Sequence, residues 1–177
     1  GPQSGIILFK NKKFGKRANK KINTTFISSV NTARLAVLSL SILEHSSFGK
    51  KYSKQIIANS IALATALVKK GYELRKINNG AYSNNEQVHL FLDQYGDKIE
   101  LYRRLIGNNI STNFMQIMGG QTFARIGTQE ITRRGMREKD MKTIANLLDG
   151  ALKGKNVKDK VIKFNSKFKK IKYSFDK

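Results

Sequence analysis

The stretch Phe123-Ala124-Arg125-Ile126-Gly127-Thr128-Gln129-Glu130-Ile131-Thr132-Arg133-Arg134-Gly135-Met136 constrains this chain more than any other, because its apolar pattern changes period within a few residues. Up to Ile126 it alternates as a strand does. Phe123 and Arg125 fall on one face, Ala124 and Ile126 on the other. From about Arg137 to Leu152, Met141, Ile144, Ala145, Leu148 and Leu152 recur at spacings of three and four, which predicts a helix with one apolar stripe against a sheet. Arg137, Glu138, Lys142 and Asn146 fill its solvated side. The segment therefore reads as a strand carrying one arginine, a turn, and the entrance to a helix. A guanidinium flanked by an aromatic and a glycine has two uses. It meets an external carboxylate or phosphate as a two-pronged donor, or it pairs with an acid of its own domain.

The rest of the chain frames this segment. Ile6-Ile7-Leu8-Phe9 follows turn chemistry and predicts a buried strand. Residues 10–21 are rich in Lys and Arg around Phe14 and Gly15, which predicts an exposed connection with at most a short helical turn. Asn31 is placed to cap a helix. From Thr32 to about Glu44 the chain is apolar nearly all round, so this helix is expected to be deeply buried. A second helix is expected from about Phe48 to Lys70, closed by Gly71. Tyr72–Arg75 reads as a short strand, Asn78-Asn79-Gly80 as a turn, and Gln87-Val88-His89-Leu90-Phe91-Leu92 as the clearest strand in the middle of the chain. Asp97 caps a helix through Leu105, with Ile99, Leu101, Tyr102, Leu105 and Ile106 expected inward. Ile110–Ile117 returns as a strand, and Gly119-Gly120 turns into the Arg125 strand. This order predicts an α+β class: a short, mostly antiparallel sheet with helices on one face. Beyond Gly154 the tail is basic, with a helical portion expected to dock Ile162 and Phe164.

Charge is the unusual bulk property: 34 Lys and Arg face 12 Asp and Glu, for a formal +22. Such a field attracts nucleic acid or an acidic partner. The lysines are scattered, and no recognisable RNA-binding module accompanies them. The absence of cysteine excludes a disulfide framework and a thiol nucleophile, and the two histidines have no metal-ligand spacing, so no metal site is expected. No apolar run is long enough to span a bilayer, which makes a cytoplasmic protein the default.

Arg125-Ile126-Gly127-Thr128, followed by Ile131-Thr132-Arg133-Arg134-Gly135-Met136 and Arg137-Glu138-Lys139-Asp140-Met141, resembles the C-terminal signature of the serine hydroxymethyltransferase family. These are pyridoxal-phosphate enzymes of the aspartate-aminotransferase fold type. The resemblance implies that Arg125 binds the α-carboxylate of an amino-acid substrate. Lys21-Ile22-Asn23 is similar to the family's step near the cofactor site of a neighbouring subunit. The next stretch carries Ser28, Ser29 and Thr32 where a glycine-rich phosphate loop is usual, which makes these hydroxyls candidate cofactor-phosphate ligands. His89 matches the histidine of the family's D-N-H-L run, a candidate for chemistry or for structure. The start of the chain resembles the Gly-Pro turn and strand just after the family's Schiff-base lysine.

The resemblance implies four regions: 1–31 a remnant of the cofactor-binding large domain, 32–71 connecting helices, 72–154 the small α+β domain with Arg125, and 155–177 a basic tail. It also implies chemistry at the Cα–Cβ bond of serine-, threonine- or glycine-type amino acids on pyridoxal phosphate, as hydroxymethyl transfer, aldol or transaldol reaction. The expected folate-contacting K-N-[ST]-x-P stretch is replaced by Thr112-Asn113-Phe114-Met115-Gln116-Ile117, which puts tetrahydrofolate in doubt. The Schiff-base lysine has no counterpart here, so no catalytic residue is nominated in this chain. A split enzyme is expected, its N-terminal half a separate chain and its sites shared in a dimer or other oligomer. The competing classes are a non-catalytic remnant or scaffold of the fold and a basic nucleic-acid-binding protein.

Overall fold

The computed structural model describes residues 5–27, 29, 31–77, 80–116 and 120–175. They form two compact units, Gly1–Phe48 and Gly49–Lys177. In the first, helix α1 (Lys12–Thr25) replaces the connection expected at 10–21. Its start explains why. The Asn11 side chain accepts from the Phe14 N–H at 3.0 Å, satisfying a donor that a helix end leaves orphaned. The rings of Phe9 and Phe14 meet edge-on, 5.6 Å apart, across that end. The run at 6–9 forms no strand, because a strand needs a neighbour's backbone and no described residue pairs with it.

The two helices expected at 32–44 and 48–70 are one, α2 (Thr32–Val68). No proline and no left-handed residue interrupts it near Gly49, so nothing in the backbone breaks the ladder. Asn31 accepts from the Arg34 N–H at 3.0 Å and caps its start. The apolar first part of α2 is exposed rather than deeply buried. Leu35, Val37, Leu40, Ile42 and Leu43 are between 46% and 58% exposed, since an all-round apolar helix needs covering on every side.

The second unit holds the rest of α2, then β1 (Gln87–Phe91), α3 (Lys98–Gly107), β2 (Asn113–Gln116), β3 (Thr122–Gly127), α4 (Gln129–Arg133), α5 (Glu138–Leu152) and α6 (Lys158–Asn165). The sheet is antiparallel in the order β1-β3-β2, so the strand carrying Arg125 is central. Val88, Leu90, Ala124 and Ile126 point to one face and meet Leu63 and Leu67 of α2, Leu101 and Leu105 of α3, and Met141, Ala145 and Leu148 of α5. That face is the core; alternation delivers the opposite set of side chains to the other face. The architecture is the α+β arrangement expected, a small antiparallel sheet with helices on one face.

Several boundaries differ for local reasons. The strand expected at Tyr72–Arg75 contracts to a bridge between Leu74 and Leu90, flanked by hydrogen bonds from the Arg75 N–H to the His89 carbonyl (3.0 Å) and from the Phe91 N–H to the Glu73 carbonyl (3.1 Å). Asp97 caps α3 as expected, accepting from the N–H groups of Ile99 and Glu100. Only Leu101 and Leu105 of that helix are buried, while Ile99, Tyr102 and Ile106 stay exposed, because a short helix on a narrow sheet buries a single i, i+4 stripe. The Ile110 N–H bonds back to the Leu105 carbonyl and closes α3, so β2 starts at Asn113. In α6 Val161 is buried and Phe164 packs on the core, but Ile162 is half exposed. Asn78, Asn79, Ile117 and Gly119, named in the expected turns and strand, lie outside the described residues. Among the described residues no helix is long and apolar enough to cross a membrane.

Candidate substrate site on the open sheet face

Arg125 sits at the centre of the face the helices do not cover. Its cross-strand partners are His89 on β1 and Asn113 on β2. It lines an open cleft of about 520 Å³ together with Gln87, Tyr102, Asn113 and Gly127. Among the described residues no carboxylate forms an ion pair with it; Glu100, Glu130 and Asp149 pair instead with Arg104, Arg134, Lys70 and Lys153. Of the two uses open to this arginine, the internal pair is not made among the described residues.

The residues just after Arg125 have a different task. Thr128 is fully buried; its N–H and hydroxyl both bond to the Glu86 carbonyl, and the hydroxyl also reaches the Ile56 carbonyl of α2 at 3.1 Å. The buried Thr132 hydroxyl donates to the Thr128 carbonyl at 2.6 Å and accepts from the Asn59 amide at 2.8 Å. That amide also reaches the Met136 carbonyl, and Gln55 links Asn59 to Glu138 at the head of α5. Gly135 ends α4 at φ +93°, a region that glycine enters without a Cβ penalty, and so turns Met136 into the core. A buried polar network with its donors and acceptors paired specifies one geometry. Here it clamps the turn after β3 to α2, and β3 continues into that turn.

His89 comes to the same face as Arg125. Its ring lies 4.7 Å from that of Phe123, and its Nε2 is 3.0 Å from Gln87 Oε1. Burial, then the charges of Arg75 and Arg125, push its pKa below the usual 6.5. The neutral ring is favoured at neutral pH. Among the described residues no group of three or more metal-ligating side chains gathers. Ser29 and Thr32 are exposed and belong to the first unit, at the start of α2; Ser28 lies outside the described residues. One member of the open face escaped the sequence reading. Arg75 stands beside His89 through the Leu74–Leu90 bridge, and only the pairing reveals which face it shares.

The fold, a small antiparallel sheet backed by long helices, matches that of a fold-type I pyridoxal-phosphate enzyme. A solved L-threonine transaldolase from Pseudomonas fluorescens matches this fold with a TM-score of 0.80 at 26% identity, over 95% of this chain and 40% of that one. A serine hydroxymethyltransferase of Staphylothermus marinus is 33% identical over 186 residues, and one of Saccharolobus islandicus 32% over 187. Each match covers 99% of this chain, which spans 42% and 43% of those relatives' lengths. No family model matches the chain. The chain is a counterpart of the C-terminal part of the serine hydroxymethyltransferase-like proteins.

Proposed function

We propose that this chain supplies the substrate-carboxylate end of a cytoplasmic pyridoxal-phosphate enzyme that makes or breaks the Cα–Cβ bond of a serine-, threonine- or glycine-type amino acid. One observation carries the reading: the Arg125 guanidinium, on a clamped central strand and without an internal ion pair among the described residues, opens into a cleft. A planar fork held in place binds a carboxylate through two parallel hydrogen bonds. Fixing the carboxylate fixes the orientation of the bonds at Cα, and orientation decides which bond breaks. Asn113 and Gln87 offer polar contacts on either side of Arg125. His89 acts through Gln87, which its Nε2 meets at 3.0 Å and which lines the cleft.

The chain's residues fit part of the cofactor. Ser29 and Thr32 present exposed hydroxyls at the start of a long helix, where unpaired N–H groups favour a phosphate. Ser28 joins them on the resemblance alone. When bound, pyridoxal phosphate supplies an electron sink for the carbanion that the chemistry generates. No lysine here is singled out for the Schiff base, so we assign that residue to a companion polypeptide matching the rest of the relatives' length. The exposed apolar side chains of α2 from Leu35 to Leu43, and the +22 charge, suit an acidic companion in a shared-site oligomer. The transaldolase likeness and the departure at Thr112–Gln116 support aldol or transaldol chemistry as strongly as folate-dependent transfer.

The test is to co-purify the chain with candidate companions encoded beside it and to record the visible absorbance of bound pyridoxal phosphate. A well-folded pair that binds none of it sinks the enzyme reading. In a pair that does bind it, Arg125→Ala is expected to weaken amino-acid binding far more than cofactor binding.

A further inference from the structure

We propose that Arg75 and His89 form a second anion subsite beside Arg125, so that the open face takes an amino acid whose side chain ends in a second anionic group. The register puts these residues in one row. Leu74 faces Leu90 in the core, which places Arg75 opposite His89 on the open side, and His89 in turn lies opposite Arg125. Neighbouring strands lie about 5 Å apart, so the backbones that carry the two arginines are about 10 Å apart across the row, and the side chains extend from them over the same face. O-phospho-L-serine and L-glutamate each carry two anionic groups that fit within such a span.

A second cleft opens at the Arg75 end, with a volume of about 600 Å³, lined by Arg75, Lys76, Tyr82, Ser83, Gln87 and His89. Gln87 lines both clefts, so they adjoin. Among the described residues no carboxylate forms an ion pair with Arg75 or Lys76. The two acids nearest in sequence bond to amides rather than to these cations: Glu73 accepts from Gln94, and Glu86 from Gln87 at the cleft's edge. Lys76 lies over the Tyr82 ring, 5.9 Å from its centroid. The cleft thus concentrates positive charge that no ion pair among the described residues neutralises, which favours an anion. His89, held neutral between two arginines, gains a proton more readily once an anion sits beside it, and so reports occupancy.

This inference deepens the reading of Arg125 and rests on it for the α-carboxylate, while its own half can be tested with inorganic phosphate. The experiment is NMR of the full chain, following the His89 ring proton after assignment with His45→Gln. Phosphate is expected to shift the His89 signal saturably and to raise its titration midpoint. Arg75→Gln is expected to weaken phosphate binding by about tenfold or more, the loss of a charge-assisted contact. Lys142→Gln, which removes the same charge from the solvated side of α5, is expected to leave it within about twofold. O-phospho-L-serine is expected to bind about tenfold tighter than L-serine, an advantage that Arg75→Gln removes. Absence of a saturable phosphate shift overturns the subsite, as does phosphate binding retained in an Arg75→Gln chain with normal thermal unfolding. L-serine binding unaffected by Arg125→Gln overturns the carboxylate role of Arg125 instead, whatever the phosphate arm shows.

Discussion

The two faces of the sheet are built by alternate residues of the same strands, yet they obey opposite rules. On the core face Val88, Leu90, Ala124 and Ile126 are buried among helix side chains, and the threonines that follow β3 are paired. On the open face Arg75, His89 and Arg125 stand in a row, with two clefts beside them and no ion pair to a described carboxylate. The contrast divides the signature after Phe123 by task. Thr128, Thr132, Gly135 and Met136 hold the turn, and Arg125 lines the open cleft. Family likeness therefore reports two kinds of information, and only the geometry separates them.

The contrast can be broken from its structural side first. Met141→Ala, in the fully buried stripe of α5, is expected to cost about 2–5 kcal/mol in urea unfolding, from lost transfer energy and the cavity left behind. Asn59→Ala strips the amide from Thr132 and from the Met136 carbonyl and is expected to cost about 1–3 kcal/mol. Ligand binding by the still-folded fraction of that variant should be retained; a loss exceeding the unfolding would show that the network also tunes the open face.

A smaller effect is expected at Asp149. Burial raises its pKa, but hydrogen bonds from Lys153 and Tyr72 and the charge of Lys70 outweigh this and hold it below the ordinary 3.8. A depressed carboxylate contributes stability above 3.8 that is lost as the pH falls through its folded-state value. Urea midpoints measured from pH 6 down to 2 should therefore decline less steeply in Asp149→Asn than in the parent. The Tyr72 hydroxyl, pushed up mainly by burial and then by its bond to Asp149, stays protonated throughout that range.

The smallest stability change is expected where the binding change is largest. Arg125→Ala should alter unfolding by no more than about 0.5 kcal/mol, since no internal partner is stranded. The same substitution removes one of the charges that lower the His89 pKa, so NMR titration should show the midpoint rising towards 6.5. A large destabilisation would place Arg125 with the structural residues and erase the contrast between the faces.

Much of this was legible from local pattern. The alternation at Phe123–Ile126, the helix from Glu138, the Asp97 cap and the Asn31 cap all follow from periods of two and 3.6 and from side chains that reach their own backbone. The α1 helix escaped because Lys and Arg dominate the stretch and mask a sparse i, i+4 stripe of Phe14, Ala18 and Ile22, although Asn11 three residues before Phe14 was a further signal. The exposure of α2 from Leu35 to Leu43 was misjudged because hydropathy states what a helix would prefer to bury, and burial requires a covering surface. The place of Arg75 on the open face was invisible, since that face depends on a partner, His89, fourteen positions away.

The sequence by itself determined which residues alternate, where α2, α3 and α5 start, and that Arg125 shares a face with Phe123, because these are properties of neighbouring residues along one backbone. The tertiary structure alone decided that this face is the uncovered one and that His89 and Arg75 stand beside Arg125. It also decided that Thr128 and Thr132 are consumed in clamping the turn to α2. Those outcomes depend on strand register and on which face the helices take, quantities set by contacts between residues far apart in the chain.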